Sequence, residues 1–311
     1  MYERRNIRLF ISLIALSVIT VLLFVLGSDG HRAEVDKTLF RVADQAKVDR
    51  VVMQSPKGKT ELKFENSVWK VNGYDADRQS IKIFFAVLAQ AEAKRAVAES
   101  LRDSVRKEIE KNGTHLQLYE GNDLRKEFYV GANEQKTETY FLQAGDKTPY
   151  VVVIPGYRVL VASVFDQTAN DLRDRLIFHL RWENFKSLTA TFPKDASQSF
   201  AVAYKDNYFQ VEGLAATDTT KLNNYLDALS LLQADKIMTT DEAKRYDSVM
   251  QLPSLMQIKI ADIADRNYEL DIFAPAKGGE WVVARTGNNE AILLRTQVAA
   301  TFLKRKDYFK K

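Results

Sequence analysis

The chain has 311 residues, of which 46% are hydrophobic and 28% are charged, a balance typical of a protein that buries a sizeable core. Its formal net charge is +4 and no basic stretch interleaved with aromatic residues stands out, which argues against a nucleic-acid-binding protein. The sequence has no cysteine, which excludes disulfides, thiolate metal sites and cysteine nucleophiles.

The N-terminal residues have the pattern of a membrane anchor. Residues 1–8 are short and basic, and residues 9–27 (LFISLIALSVITVLLFVLG) contain no charged side chain. At about 1.5 Å per residue, this apolar run nearly crosses a hydrocarbon core of roughly 30 Å. We expect a single transmembrane helix with residues 1–8 in the cytoplasm, because positively charged flanks stay on that side.

A cleaved signal peptide is the alternative interpretation of the same residues. Val25-Leu26-Gly27 is a passable cleavage site, but the apolar run is longer than the usual signal core of about 7–15 residues. Both interpretations export the residues that follow. If the anchor is retained, Ser12, Ala15 and Ser17 are small enough for close contact with a partner helix. Residues 28–47 are polar and mixed, and we expect a tether there.

An internal repeat at a spacing of about 141 residues is the most informative pattern in the chain. Phe64–Val71 aligns with Tyr204–Val211, and each is typical of a strand, a polar turn and a second strand with an aromatic residue. Asp77 aligns with Asp218, and each is a candidate N-cap before a helix with one apolar stripe. The stripes are Ile81, Phe84, Phe85 and Leu88 in one helix, and Leu222, Tyr225, Leu226 and Leu229 in the other.

Four further strand patterns follow the helix in each repeat, separated by glycine-containing turns. Each repeat therefore reads β-β-α-β-β-β-β, and the anchor with two such tandem repeats predicts an α+β fold with mainly antiparallel sheets. We assign residues 48–178 to the first repeat, which ends in a linker helix from residue 158. Residues 179–303 form the second repeat, and residues 304–311 form a basic tail.

The residue types that catalysis or metal binding requires form no recognisable pattern. The three histidines, His31, His115 and His179, lie far apart in sequence and none has metal-ligand spacing to another. The sequence contains no glycine-rich phosphate loop and no G-x-S-x-G elbow. Carboxylates in Glu99–Glu110 alternate with basic residues, which is typical of a solvated helix. We expect no catalytic site, no cofactor and no metal.

A charged cluster lies at the predicted junction of the two repeats. Because arginine forks pair well with carboxylates at interfaces, its two arginines are candidates for contacts that fix the angle between the repeats. An ordinary solvated helix end is the alternative. The cluster consists of Asp171, Arg173, Asp174 and Arg175.

Six aromatic residues bear on whether the exported part binds a ligand. If they converge on an open cleft, they indicate a binding module. Their positions in alternating strands favour packing in the core instead. They are Trp69, Tyr74, Tyr140, Tyr157, Tyr208 and Trp281.

The anchor and the repeats together resemble a bacterial envelope family, the domain of unknown function 4340. The resemblance covers roughly residues 45–300. It rests on Val68-Trp69-Lys70-Val71, on Ala93–Val97 after the first helix, on Asp171–Phe178 at the junction and on Tyr246–Pro253.

The resemblance implies a role but no functional residues. Members are commonly encoded beside ABC-2-type exporters, including the gliding-motility-associated kind. By this resemblance we expect a non-catalytic accessory subunit whose partners are ABC permease and ATPase subunits. It would be a single-pass protein of the bacterial inner membrane, with the N-terminus in the cytoplasm and the remainder in the periplasm. A periplasmic binding module for a glycan, lipid or peptide of the cell envelope is the alternative.

Overall fold

The computed structural model describes residues 2–28, 35–180, 182–205, 208–275 and 279–311. In these residues the α-helices are α1 (Tyr2–Ser28), α2 (Arg78–Gln90), α3 (Glu99–Asn112), α4 (Ala169–Leu172), α5 (Thr219–Ser230), α6 (Thr240–Ala243), α7 (Asp247–Met250) and α8 (Thr296–Phe302). The strands up to residue 153 are β1 (Arg50–Ser55), β2 (Gly58–Glu65), β3 (Val68–Val71), β4 (Tyr74–Asp75), β5 (Glu92–Ala96), β6 (Thr114–Glu120), β7 (Asp123–Ala132), β8 (Thr139–Gln143) and β9 (Tyr150–Val153). The later strands are β10 (Phe185–Thr191), β11 (Phe200–Lys205), β12 (Tyr208–Val211), β13 (Lys236–Ile237), β14 (Met256–Asp262), β15 (Asn267–Pro275), β16 (Trp281–Thr286) and β17 (Ala291–Arg295).

The strands form two antiparallel sheets, which confirms the predicted α+β class. The first sheet has the order β4-β3-β2-β1-β6-β7-β8-β9-β5, and the second has the order β12-β11-β10-β14-β15-β16-β17-β13. Apart from the two-residue strand β4, the two orders correspond strand for strand.

Helices α2 and α5 form where the apolar stripes predict them, and both stripes are buried. The Asp77 carboxylate accepts a hydrogen bond from the Ser80 backbone N–H at 2.7 Å. The Asp218 carboxylate accepts one from the Lys221 backbone N–H at 3.0 Å. Both predicted N-caps are confirmed, because each carboxylate satisfies a backbone N–H that has no partner inside its helix.

The predicted β-β-α-β-β-β-β order is incomplete, because it lacks β1, β4, β5, β10 and β13. Strand β10 has a register shift between Phe185 and Ser187, and β5 has one between Ala93 and Arg95. A bulge interrupts the alternation of inward and outward side chains that identifies a strand in a sequence. Strand β1 buries three consecutive residues, and β4 and β13 have two residues each, so none of them shows the alternation either.

The chain divides into two compact units. The first comprises residues 1–47, 84–117 and 124–166. In this unit Phe40 is 1% exposed, and its ring lies 5.2 Å from the ring of Phe141. Phe40 belongs to the predicted tether, so the described end of that segment contributes to a core. Residues 29–34 of the tether lie outside the described residues.

The second unit comprises residues 48–83, 118–123 and 167–311. Its core includes α5, α8 and the inward side chains of β10–β17. Phe309, in the predicted basic tail, is fully buried, and its ring lies 4.9 Å from that of Phe200. The Phe309 carbonyl accepts a hydrogen bond from the Asp218 N–H at 2.8 Å. The tail is therefore packed against the start of α5.

The linker helix predicted from residue 158 forms over only part of its length. The helical parts are a 3₁₀ turn at Val161–Val164 and the single turn of α4. Beyond Leu172 the chain is extended, because its backbone groups pair with neighbouring segments.

Helix α1 contains the apolar run of residues 9–27. Among the residues that the structure describes, no helix meets the length and hydropathy that a membrane crossing requires.

Candidate functional site

An extended segment after α4 positions the candidate site. The Asp77 N–H donates to the Leu172 carbonyl at 2.8 Å, and the Asp174 N–H donates to the Asp75 carbonyl at 2.8 Å. These bonds tie both neighbours of Arg173 to the chain next to β4. The position of the Arg173 Cα is therefore determined by backbone pairing.

The same segment is paired further along with the chain that follows α5. The Ile177 N–H donates to the Leu232 carbonyl at 2.9 Å, and the Ala234 N–H donates to the Arg175 carbonyl at 2.8 Å. Residues 172–177 thus run as an extended strap between two flanking segments of the second unit, and the strap carries Arg173 into its interior.

The Arg173 guanidinium forms a bidentate pair with Glu290 and stacks on the ring of Tyr74. Its Nη1 and Nη2 donate to the two carboxylate oxygens of Glu290 at 2.8 and 2.9 Å. Its Cζ lies 3.7 Å above the centre of the Tyr74 ring. Such a fork combines charge attraction with two parallel hydrogen bonds, and the aromatic face adds a cation–π contact. Arg173 is only 8% exposed, so water screens these contacts weakly.

The third donor position of Arg173 has no acceptor. Its Nε is buried, and no hydrogen-bond acceptor reaches it among the described residues. An unpaired buried N–H costs about 1–3 kcal/mol, which reduces the stability that the fork and the ring contact contribute. Because the rest of the guanidinium is engaged by Glu290 and Tyr74, Arg173 serves as a structural element of the site and not as a free charge for an anion.

Two cavities adjoin the Arg173–Glu290 pair. The smaller, of about 270 Å³, is also lined by Asp174 and Arg175. The larger, of about 880 Å³, is also lined by Tyr74, by α6 and α7 and by the turn between β16 and β17. Small-molecule sites typically measure roughly 300–1,000 Å³, so the larger cavity is the candidate binding site.

The cations that line the larger cavity are neutralised. Arg285 Nη2 lies 3.1 Å from the Asp271 carboxylate. Lys244 Nζ lies 2.8 Å from the Asp241 carboxylate. Asp247 adds a carboxylate to the lining. Among the described lining residues each cation therefore has a carboxylate partner, which leaves no unpaired positive charge for a phosphate or carboxylate ligand.

Besides the Asp247 carboxylate, three of the described polar side chains that line the larger cavity are uncommitted, and these three are neutral. Thr240, Gln251 and Asn289 line it, and among the described residues their side chains have no hydrogen-bond partner. Next to them is a small apolar cluster that includes Met238 and Ala291. The wall therefore offers amide and hydroxyl groups beside an apolar surface.

Helix α6, at the rim of this cavity, is fixed by a capping box. Thr239 and Glu242 exchange hydrogen bonds between side chain and backbone. A hydrogen bond from the Lys236 ammonium, and then those from Thr239, hold the pKa of Glu242 below its ordinary value. The charged form of Glu242 thus keeps the rim ordered.

The four predicted junction residues have different roles. Asp171 accepts the Thr168 N–H at 2.9 Å and so completes the capping box of α4, and Asp174 accepts the N–H of Leu176 at 2.9 Å. Arg175 donates to the Asp235 backbone carbonyl at 3.1 Å. Arg173 reaches a carboxylate of the predicted second repeat, whereas Arg175 bonds to a backbone carbonyl.

The six aromatic candidates do not converge on one cleft. Only Tyr74 among them lines the larger cavity. Packing in the core, which the alternation favours, is wrong for the three that are 50–66% exposed. Those three are Tyr74, Tyr157 and Tyr208, and the partly buried ones are Trp69, Tyr140 and Trp281.

The small residues predicted to contact a partner helix are all exposed on α1. Ser12 and Ala15 are three residues apart and share one side of the helix. Ser17 follows Ser12 by five residues and projects about 140° away from it. The three residues therefore do not form a single helix face.

The amino-acid sequence alone does not identify the partners of Arg173. Glu290 lies in a turn after Gly287-Asn288-Asn289 and has no distinguishing motif. Tyr74 is one of six similar aromatic candidates. Matched co-variation of the two charged positions in related sequences is the signal that would identify the pair.

Elsewhere, His115 Nε2 lies 2.8 Å from the Glu127 carboxylate, and its ring stacks on Tyr129 with centroids 4.4 Å apart. Across the described ranges, no group of three or more histidine, aspartate or glutamate residues is placed to hold a metal ion.

A comparison with protein families places more than half of the chain in one of them. The family model for a domain of unknown function (DUF4340) matches residues 69–248. No curated protein matches the chain. The matched range includes β3, α2, the strap and α6, but ends before Glu290.

Proposed function

The chain belongs to the DUF4340 family, and from that premise we propose that it is a membrane-anchored accessory subunit of an ABC-type transport complex. In this proposal it is a non-catalytic, single-pass protein of the bacterial inner membrane. Residues 1–8 lie in the cytoplasm and the α+β part lies in the periplasm. The permease and ATPase subunits are its partners, in a complex similar to those associated with gliding motility.

The observation that carries the proposal is the apolar surface of α1. Every residue from Phe10 to Leu22 is exposed, and the large apolar side chains among them are 50–66% exposed. A continuous apolar surface of this kind is unfavourable in water and favours an environment of lipid or of other apolar helices. The basic residues before it favour a cytoplasmic N-terminus.

One side of α1 is suited to packing against a permease helix. Ser12 and Ala15 lie on that side, and small residues allow two helix backbones to approach closely within a bilayer. Ser17 lies on another side and is not needed for the same contact. This arrangement supports packing against a partner helix in addition to anchoring.

Copurification tests this proposal. The full-length protein is purified from native membranes in mild detergent, and copurifying proteins are identified by mass spectrometry. We expect permease and ATPase subunits in stoichiometric amounts. Exchange of residues 9–27 for an unrelated transmembrane segment should abolish their recovery.

A matched pair of variants refines the test. The double variant Ser12→Leu/Ala15→Leu enlarges the proposed contact side, and Ser17→Leu makes the same kind of change elsewhere on α1. We expect the first to reduce permease recovery and the second to leave it unchanged. Recovery of the wild-type protein alone, at matched expression, would contradict the accessory role.

We also propose that the two sheets arose by internal duplication. The corresponding strand orders support it. The hairpins β2–β3 and β11–β12 support it further, because Phe64 faces Trp69 and Tyr204 faces Phe209 across the strands. In this proposal Arg173 fixes the angle between the repeats through Glu290. If so, Arg173→Ala should increase the rate of limited proteolysis between the repeats.

A periplasmic binding module is the second candidate function. The larger cavity beside Arg173 favours it, because its volume and its mixture of apolar and neutral polar groups suit a ligand. The two functions are compatible, since an accessory subunit can also bind an envelope component.

A further inference from the structure

We propose that the larger cavity beside Arg173 is a binding site for an N-acetylated, uncharged oligosaccharide. The proposal is independent of association with a transporter, because it concerns a site formed within one compact unit of this chain.

The first argument concerns charge. Arg173, Arg285 and Lys244 each have a carboxylate partner, so among the described lining residues no cation is free for an anionic ligand. Two of these carboxylates, Asp241 and Asp271, bind their cations at 2.8 and 3.1 Å. An anionic ligand would have to displace a carboxylate from one of these pairs and would also face the Asp247 carboxylate, which disfavours its binding. An uncharged ligand avoids this penalty.

The second argument concerns hydrogen bonding. Thr240, Gln251 and Asn289 present one hydroxyl and two primary amides, and in the described part of the chain none of these side chains is engaged. Amides both donate and accept, which matches sugar hydroxyls and the amide of an acetamido group. A lipid tail would leave these groups unsatisfied.

The third argument concerns apolar contact. Arg173 covers one face of Tyr74, and Tyr74, which is 50% exposed, lines the cavity. The negative face of an aromatic ring attracts the weakly positive C–H groups of a sugar ring. Met238, Met250 and Ala291 form the adjoining apolar surface, which suits the methyl group of an acetamido substituent.

Arg173 is a positioning residue in this site. Its fork on Glu290 holds the β16–β17 turn that carries Asn289, and its stacking holds Tyr74. A lysine at this position would keep the charge but lose the fork and the planar stacking. Both recognition elements would then lose their support.

Isothermal titration calorimetry tests the proposal on the purified full-length chain in detergent micelles. The probe is tetra-N-acetylchitotetraose, and maltotetraose serves as a sugar of equal length without acetamido groups. We expect heat of binding with the first sugar and much weaker binding with the second. Because the protein is purified alone, the result does not depend on recovery of a transporter.

Variants locate the binding site. We expect Tyr74→Ala and Gln251→Ala each to weaken binding by about tenfold or more, as truncation of a central contact does. The controls are Tyr157→Ala and Gln79→Ala, which alter exposed residues of the same types that do not line the cavity. The Gln251 side chain makes no hydrogen bond within the described residues, and the backbone bond to the Asp247 carbonyl remains in the variant, so Gln251→Ala should fold normally.

Three results would overturn the proposal. These are no binding of tetra-N-acetylchitotetraose by the wild type, unchanged binding by both Tyr74→Ala and Gln251→Ala, or equal loss of binding in the two control variants. Equal affinity for maltotetraose would overturn the assignment of the acetamido group.

Discussion

At the scale of single residues, the second unit buries the charged side chains of Arg173 and Asp262. Arg173 and Asp262 are 8% and 1% exposed. Each avoids the penalty of a buried charge by binding a partner of opposite charge and by additional contacts. Changes at these residues should therefore affect stability more than changes at exposed charges do.

Arg173→Ala should destabilise the fold by about 1.5–3 kcal/mol, because it removes two charge-assisted hydrogen bonds and leaves Glu290 unpaired. Arg173→Lys should fall between the alanine variant and the wild type. The urea midpoint of unfolding measures the effect. Arg158→Ala, at an exposed arginine, is the control and should leave the midpoint unchanged. A midpoint for Arg173→Ala equal to that of the control would contradict the structural role of the fork.

The buried Asp262 carboxylate should make the free energy of unfolding fall in acid. Burial acts to raise the pKa of its carboxyl, but hydrogen bonds from the backbone N–H and side chain of Arg266 and from the Ala264 N–H outweigh burial and leave the pKa below its ordinary value. A lowered pKa in the folded state stabilises the fold above the unfolded pKa of about 3.9, and this contribution is lost as pH falls through the folded value.

The Asp262→Asn variant tests this expectation. The difference in urea midpoint between the wild type and Asp262→Asn should be largest at neutral pH and should shrink below about pH 4. Asp103→Asn, at a carboxylate that is 85% exposed, is the control. A difference that stays constant from neutral to acidic pH would show that the charge of Asp262 does not stabilise the fold.

At the scale of elements, the junction between α3 and β6 depends on close backbone approach. Gly113 follows α3 with an ordinary φ of −80°, so backbone conformation does not require glycine there. The lack of space requires glycine, because a Cβ atom at this position would lie 2.4 Å from the Ile109 carbonyl oxygen and 2.6 Å from the Val130 carbonyl oxygen. Both atoms belong to the backbone and cannot rotate away.

Gly113→Ala should therefore lower the free energy of unfolding by about 1–3 kcal/mol, the usual range for overpacking. Gly131→Ala is the matched control, since its Cβ would approach Ile109 Cγ1 at 3.2 Å, which is a milder contact than the two backbone contacts at Gly113. Urea midpoints compare the two variants. Equal midpoints would contradict the close backbone approach at Gly113.

At the scale of the whole molecule, the proposed topology can be measured with an introduced cysteine. The chain has no cysteine, so a single one at an exposed site is a unique label position. Asp103→Cys lies on the solvated helix α3. A membrane-impermeant maleimide should label it in intact spheroplasts, if residues after α1 lie in the periplasm.

The same cysteine in disrupted spheroplasts is the positive control for reactivity. Labelling only after disruption would place α3 on the cytoplasmic side and would contradict the proposed topology. Release of the protein by carbonate washing would contradict anchoring through α1. A variant that lacks residues 2–28 should be released under the same conditions.

The amino-acid sequence alone predicts those parts of the fold whose patterns lie within a short stretch of chain. The stripes of α2 and α5 and their caps at Asp77 and Asp218 follow from a period of 3.6 residues and from backbone groups at a helix start. The α+β class, the solvated helix α3 and the family also follow from local patterns, since each depends on residues near one another in the chain.

Tertiary structure decided what depends on partners far apart in the sequence. Strands β5 and β10 have register shifts that break the alternation, so only pairing with their neighbours identifies them. Phe40 and Phe309 lie in segments that look polar, and both are buried because a core is present beside them. The candidate site depends most on such distant partners, because Arg173 and Glu290 are 117 residues apart in sequence. Their pairing, and the cavity that adjoins it, exist only because the strap beside β4 and the turn between β16 and β17 meet in the folded chain.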